Sequence, residues 1–158
     1  MATEFSFSRL LRHLDGGEQL QRPSGAPSEE HMRAAIEGYV AFVDGGAQDT
    51  EYADTYLAVP RVGEDPVGTA PMTIGGTGTE LFDAMAQLQD VPFVPQKAQL
   101  TAPITFSLGN QAAFSFRLWA NADGRDLTID IIEVMSFDEN GKIAHQMAYW
   151  GADNVTLL

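Results

Sequence analysis

The sequence contains no cysteine, which excludes disulfides, thiolate nucleophiles, zinc–thiolate sites and iron–sulfur clusters. Carboxylates, hydroxyl groups and three histidines are therefore the side chains available for chemistry. The histidines are scattered along the chain without partners at metal-ligand spacing, so we expect neither a zinc nor an iron site. We also expect no cofactor, because no glycine-rich phosphate-binding or dinucleotide-binding pattern is complete.

Basic residues are scarce. The chain has 9 Lys and Arg against 22 Asp and Glu, which gives a formal charge of −13. Proteins that bind phosphate groups use Lys and Arg to displace counterions, so we expect no nucleic-acid partner and no membrane partner. No apolar run approaches the roughly 20 residues that cross a bilayer, and the N-terminal stretch lacks the apolar region of a signal peptide. These features predict a cytoplasmic location.

The chain is long and apolar enough for one folded domain, with 158 residues of which 44% are hydrophobic. Residues 1–28 are predicted to form an N-terminal extension. Within it, apolar residues at helical spacing indicate a short helix that ends near Asp15, and the stretch from Arg22 to Ser28 is typical of a linker. The domain itself is predicted to span residues 29–158.

Helices are predicted in the first half of this domain. Ser28, followed by two glutamates, is typical of a helix N-terminus, and Gly45–Gly46 ends that helix. A second short helix is predicted from Asp49 to Leu57, and a third where Leu81, Phe82, Met85 and Leu88 recur at helical spacing. The inward stripe of the first of these helices comprises Met32, Ala35, Ile36, Tyr39 and Val43.

The second half of the domain alternates between apolar and polar residues, as antiparallel strands do. Turns are predicted at Gly109–Asn110, at 122–124 and at 138–141. Helices followed by a meander of strands predict an α+β fold, in which three N-terminal helices pack on a strongly curved antiparallel sheet that closes a pocket. The predicted strands cover residues 100–108, 114–118, 127–137 and 142–150.

Three side chains are candidates for chemistry. Glu133 is the one carboxylate among the apolar odd positions of the strand 127–137, where it must be paired, solvated or kept protonated. Its structural alternative is an ion pair with Arg117 or Lys142. Asp65 precedes a proline and could be an ordinary turn residue, and Tyr39 could be a core aromatic. Spacing alone favours those two structural alternatives.

Three stretches of the sequence resemble the bacterial ketosteroid isomerases, or steroid delta-isomerases, of the nuclear-transport-factor-2-like and SnoaL-like superfamily. They are RAAIEGYVAFVD from Arg33 to Asp44, EDPVG from Glu64 to Gly68, and IDIIEVMSFDENGKIAHQMAYWGADNV from Ile129 to Val155. The resemblance begins at about Glu29 and implies a cone-like half-barrel. It also implies a homodimer and a hydrophobic, steroid-like small molecule as the partner.

The resemblance further implies a role for each candidate residue. Tyr39 would donate a hydrogen bond to the 3-oxo oxygen of a steroid, Asp65 would shuttle the proton, and Glu133 would donate a second hydrogen bond. The family's usual residue at position 133 is Asp, so the acid here is one methylene longer. The residues expected to bind the substrate are Phe116, Trp150, Leu118 and Met135.

The function expected from this resemblance is conversion of 3-oxo-delta-5 steroids into 3-oxo-delta-4 steroids. Two alternatives stay open. The Glu in place of Asp is compatible with an epoxide-opening hydrolase or cyclase of a polyketide, since similar proteins with EDPVG and YWG motifs use paired carboxylates. A noncatalytic pocket that only binds a hydrophobic ligand is the other alternative, because a fold does not guarantee activity.

Overall fold

The computed structural model describes residues 5–75 and 90–158. The helices within these ranges begin and end close to the predicted residues, and Ser28 Oγ accepts the predicted capping hydrogen bond from the His31 backbone N–H at 3.1 Å. The predicted third helix, Leu81 to Leu88, lies outside the described residues. The described helices are α1 (Phe7–Leu14), α2 (Glu29–Asp44) and α3 (Thr50–Tyr56).

The packing of α3 on α2 depends on a glycine. A Cβ atom placed on Gly38 would lie 2.6 Å from Cε2 of Tyr52, so only a residue without a side chain allows this approach. The Tyr52 hydroxyl donates to the carbonyl oxygen of Ala35 at 2.6 Å, which joins the two helices. Tyr39, which carries the candidate phenol, follows Gly38 directly. The contact between Gly38 and Tyr52 therefore fixes the position of the turn of α2 on which Tyr39 lies.

The strands form one curved, mixed sheet in the order β2-β1-β7-β6-β5-β3, with β4 paired to β5 and β8 paired to β6. The prediction of a purely antiparallel sheet is wrong at one place, since β1 and β7 run parallel. These two strands are far apart in the chain, so no hairpin constrains their direction. The strands are β1 (Leu57–Glu64), β2 (Met72–Ile74), β3 (Phe93–Leu100), β4 (Thr105–Phe106), β5 (Gln111–Ala122), β6 (Arg125–Phe137), β7 (Ile143–Tyr149) and β8 (Val155–Leu157).

The predicted strand 100–108 is also wrong. The strand β3 ends at Leu100, and only Thr105–Phe106 returns to the sheet as β4. Pro103 lies in the gap, and a proline has no N–H to donate to a neighbouring strand. The structure also adds β8 at the C-terminus, which pairs with β6 at residues 127–129 and was not predicted.

The hairpin of β5 and β6 confirms the predicted alternation. The odd residues of β6 from Leu127 to Phe137 are all buried, and they face the same core as alternate residues of β5. The turn between the strands has the predicted position, with Asp123 and Gly124 at φ angles of 50° and 80°. The alternation therefore directs Glu133 into the core.

The N-terminal segment carries the predicted short helix. None of the residues of α1 is buried, and Phe7, Leu11 and Leu14 are exposed. Farther along, Arg22 Nη1 donates to the carbonyl oxygen of Gly109 at 2.8 Å. The domain boundary at residue 28 stays a prediction. Among the described residues, no helix has the length and apolar character required to span a bilayer.

Candidate active site

Glu133 lies near the middle of the sheet, opposite Phe114 of β5 and Ala148 of β7. Its side chain is buried, with 3% of the residue exposed. Burial raises the pKa of Glu133 to about 8, the charge of Asp65 acts in the same direction, and Gln146 and Arg61 partly oppose them. The acid is therefore neutral at pH 7 in the folded protein and can donate a hydrogen bond.

The structural alternative for Glu133 is wrong. Arg117 forms a two-point ion pair with Asp130, at 2.7 and 3.0 Å, and Lys142 Nζ donates to a backbone carbonyl of α3. Glu133 instead accepts a hydrogen bond at Oε1 from Nε2 of Gln146, at 3.0 Å. The hydrogen-bond partner of Glu133 is thus the neutral amide of Gln146 and not the cation of Arg117 or Lys142. Because the amide carries no positive charge, it does not require Glu133 to be ionised.

Two buried polar residues behind Glu133 were missed in the sequence. Arg61 of β1 is 3% exposed, and its Nε donates to Oε1 of Gln146 at 2.8 Å. Gln146 lies on the inward face of β7 with Ala148, while Arg61 lies on the inward face of β1 with Gly63. The sequence offered a signal for Gln146, which is two residues from the inward Ala148 and therefore shares its face of β7. It offered no comparable local signal for Arg61.

Tyr39 approaches the same site from α2. It is half-buried, and its ring lies edge-on to Phe114, with 6.5 Å between ring centroids. Burial raises the pKa of Tyr39 well above its usual value, and the charges of Glu133 and Asp65 raise it further. The phenol consequently stays protonated over the whole neutral range and is a hydrogen-bond donor.

Asp65 follows the end of β1 and is exposed to solvent. The protein around its carboxyl group nevertheless raises the pKa of Asp65 by desolvation, whereas the hydrogen bond from Trp150 lowers it. That bond runs from the indole Nε1 to Oδ1 over 2.6 Å. Trp150, expected in the substrate slot, is thus also the hydrogen-bond partner of the carboxylate.

The electrostatics of the site couple the three candidate residues. Asp65 raises the pKa of both Tyr39 and Glu133, and Glu133 raises that of Tyr39. The other expected substrate-binding residues lie on the inward faces of β5 and β6, and all are buried: Phe116, Leu118 and Met135. Their contact with a substrate stays a prediction.

A cavity of about 600 Å³ lies elsewhere on the sheet. Most of its lining side chains belong to the exposed face, including Ser115, Arg117, Asp130 and Ile132, although Phe116 and Trp150 also border it. Its lining residues do not include Tyr39, Asp65 or Glu133.

Candidate metal ligands do not converge in the part of the chain that the structure describes. Within residues 5–75 and 90–158, no group of three His, Asp or Glu side chains could hold a metal ion. His145 Nε2 lies 2.9 Å from Oε2 of Glu64, which is a pair and not a ligand set.

No family model matches the chain. A curated protein named Steroid Delta-isomerase, from Nocardioides simplex, is 27% identical over 126 residues, which cover 80% of this chain and 94% of that protein. The resemblance to the ketosteroid isomerases is confirmed. A solved structure of SalBIII, an epoxide hydrolase/cyclase-like enzyme with a role in pyran ring formation in polyether salinomycin, superposes with a TM-score of 0.59 at 16% identity. It covers 83% of this chain and 98% of SalBIII, and at this identity it shows a shared fold.

Proposed function

We propose that the protein is an intramolecular isomerase that converts 3-oxo-delta-5 steroids into 3-oxo-delta-4 steroids. The observation that carries the proposal is the buried, neutral Glu133, which is coupled to the Tyr39 phenol and to the Asp65 carboxylate. Two proton donors and one base are the groups that this reaction requires. The steroid isomerase relative supports the same chemistry.

The reaction moves a carbon–carbon double bond into conjugation with a ketone. Asp65, as the carboxylate, removes a proton from the carbon between the carbonyl group and the double bond. The electron pair of that C–H bond moves toward the ketone oxygen, which forms a dienolate and a protonated Asp65. The acid then returns the same proton to the far carbon of the former double bond, so no atom is gained or lost.

The dienolate carries its charge on oxygen, and that oxygen needs donors. Tyr39 would donate through its hydroxyl group and Glu133 through its carboxylic acid. Preorganised donors of this kind act strongly where water is excluded, and losing one commonly slows a reaction about 10²- to 10³-fold. Ketosteroid isomerases are themselves the established example of a carboxylic acid held neutral by an apolar site, so this step is carried over from them.

The proposed substrate is apolar, in keeping with the buried side chains around the site. Phe116, Leu118 and Met135 would contact its rings, and Trp150 would lie beside it while holding Asp65. The proposed assembly is a homodimer. Exposed apolar residues on the outer face of the sheet support it, because Ile132 and Tyr149 are directly paired across β6 and β7. Sedimentation equilibrium tests the assembly, and a monomer at all concentrations would contradict it.

The test of the isomerase is direct. A 5-ene-3-ketosteroid is added, and the ultraviolet absorption of the conjugated enone is followed over time. We expect turnover with the wild-type protein and loss of nearly all of it in Asp65→Asn, which cannot accept the proton. Absence of turnover despite tight steroid binding would instead indicate a noncatalytic binding pocket, and an undiminished rate in Asp65→Asn would remove Asp65 as the base.

An epoxide-opening hydrolase or cyclase is the second candidate. The structural similarity to SalBIII favours it. So does Glu133, which is one methylene longer than the usual Asp and is linked through Gln146 to the buried cation of Arg61. In that reaction Asp65 and Glu133 would act together on an epoxide, and Tyr39→Phe would be nearly harmless. An isomerase requires the opposite result, because Tyr39→Phe removes an oxyanion donor. Assaying Tyr39→Phe on both substrate classes separates the two.

A further inference from the structure

A chain of three buried polar side chains crosses adjacent strands behind the site. Nε of Arg61 donates to Oε1 of Gln146 at 2.8 Å, and Nε2 of Gln146 donates to Oε1 of Glu133 at 3.0 Å. The exposed fractions are 3%, 9% and 3% from Arg61 to Glu133. Burying three polar side chains costs free energy unless each forms hydrogen bonds. Packing alone therefore does not explain why Arg61, Gln146 and Glu133 are joined in this order.

The cation fixes the direction of this chain. A guanidinium group has only N–H donors, so the side of the Gln146 amide that meets Arg61 must be its oxygen. The amide nitrogen must then face Glu133, and it has only hydrogens to offer. The carbonyl oxygen of a carboxylic acid is a better acceptor than its hydroxyl oxygen, so a donor at Oε1 favours the arrangement in which the acidic proton is on Oε2.

We propose that Arg61 and Gln146 are positioning residues that decide which oxygen of Glu133 carries the acidic proton. Gln146 donates to Oε1, which favours the proton on Oε2, from which it can be donated to a ligand oxygen. The place of this proton is a property of the resting protein. Only its effect on turnover rests on the proposed isomerase function.

Gln146 also separates two opposite charges. A direct ion pair between Arg61 and Glu133 would favour the ionised acid and abolish its donor role. With the neutral amide between them, the cation still lowers the pKa of Glu133, but burial and the charge of Asp65 outweigh it. The charged groups that act on Glu133 from the neighbouring elements are thus Asp65 and Arg61 of the β1 side, and Glu133 in turn raises the pKa of Tyr39 of α2.

Two changes test the proposal. Gln146→Glu keeps the shape of the side chain but replaces the amide N–H donors with an acceptor, so the proton of Glu133 should turn to Oε1. The double variant Arg61→Met with Gln146→Met removes the whole chain while keeping apolar volume, a kind of replacement that buried polar groups often tolerate. If Gln146→Glu does not fold, the double variant decides. The matched control is Gln96→Met, which changes an exposed glutamine on β3.

The first readout is the infrared carbonyl band of protonated Glu133, assigned by its disappearance in Glu133→Gln. We expect this band to shift to higher frequency in the double variant, because the carbonyl oxygen Oε1 loses its hydrogen bond, and to change in Gln146→Glu as well. The control should leave it in place. An unchanged band in both variants would overturn the proposal, whether or not the protein acts on steroids.

The second readout is turnover of the 5-ene-3-ketosteroid. We expect kcat to fall about 10- to 100-fold in both variants while KM stays within about threefold, the pattern of an interaction made in the transition state. A shifted band with unchanged kcat would contradict the effect on turnover. A wild-type protein that shows the band but no turnover would reject the isomerase function and leave the position of the proton standing.

Discussion

The indole N–H of Trp150 donates to Oδ1 of Asp65 over 2.6 Å, and it joins the end of β7 to the residue that follows β1. A hydrogen bond to a carboxylate favours its charged form and fixes its orientation. One oxygen of Asp65 is thus held by Trp150, and the proposed proton transfer falls to the other oxygen. The proposed base is thus positioned by a residue 85 positions away in the sequence.

Trp150→Phe should weaken Asp65, the proposed base, at low pH. The hydrogen bond lowers the pKa of Asp65, so removing it raises that pKa and shifts the acidic limb of the pH–rate profile to higher pH. At acidic pH, where Asp65 is largely protonated, we expect kcat/KM to fall roughly tenfold relative to the wild type, and at neutral pH we expect a smaller loss. Trp119→Phe, which changes a tryptophan packed beside Lys97, is the matched control. An unshifted acidic limb in Trp150→Phe would remove the role of the indole.

The pH–rate profile of the proposed isomerase activity should be bell-shaped in the wild-type protein. Activity should rise as Asp65 ionises, at a pH above that of an ordinary aspartate because its pKa is raised. It should fall as Glu133 loses its proton near pH 8 and ceases to be a donor. Measuring kcat/KM from pH 4 to 10 tests this, and a rate that stays flat well above pH 8 would mean that a neutral Glu133 is not required.

Glu133→Gln should stabilise the protein, and increasingly so as the pH rises. The pKa of Glu133 is about 8 in the folded protein against an ordinary value of 4.5, so between these values the folded state binds a proton that the unfolded state has lost. This contribution to stability is therefore lost from pH 4.5 to pH 8, at about 1.4 kcal/mol per pH unit at most. The Glu133→Gln variant does not lose this contribution, because a glutamine side chain does not ionise.

Urea unfolding of both proteins at pH 4.5, 6, 7 and 8.5 measures this difference. The free energy of unfolding should diverge across the window and run parallel above it. Glu139→Gln, which neutralises an exposed glutamate, is the control and should show no such divergence. Parallel curves for Glu133→Gln throughout would show that Glu133 ionises normally in the folded protein.

Gly38→Ala should destabilise the protein although alanine is the better helix former by about 1 kcal/mol. The added Cβ would lie 2.6 Å from the Tyr52 ring, so α2 and α3 must move apart. We expect a net loss of about 1 to 3 kcal/mol, as is common for overpacking. Gly75→Ala is a control, since a Cβ there meets nothing within 4 Å. Thermal or urea unfolding measures both, and a stabilised Gly38→Ala would contradict the packing described.

Regular alternation of apolar and polar residues in a strand allowed Glu133 to be predicted from the sequence. Where the alternation is interrupted, in β7, the buried Gln146 was not predicted. In β6 every odd residue from Leu127 to Phe137 is buried, so the inward position of Glu133 followed from the pattern. In β7 the pairing with β6 shifts register near Phe137, and the buried residues Ile143 and Gln146 are three apart instead of two. A period of two therefore cannot assign both residues to the core, and Gln146 was overlooked.

Arg61 was missed for a different reason. A lone arginine in a strand is ordinarily assigned to the solvent face, and its burial depends on a partner 85 residues away that only the parallel pairing of β1 with β7 brings near. The break at Pro103 shows the same limit, because apolar residues at every second position indicated a strand that the missing N–H interrupts. Local patterns predicted the elements, and long-range pairing decided which polar groups meet.

The account depends most on the charge of Glu133 in the resting protein. Carbon-13 NMR of the glutamate side-chain carboxyl groups, with the Glu133 signal assigned by its absence in Glu133→Gln, follows its titration from pH 4 to 10. We expect Glu133 to be protonated at pH 7 and to titrate near pH 8. A Glu133 signal that titrates near pH 4.5, the ordinary value for a glutamate, would contradict the account.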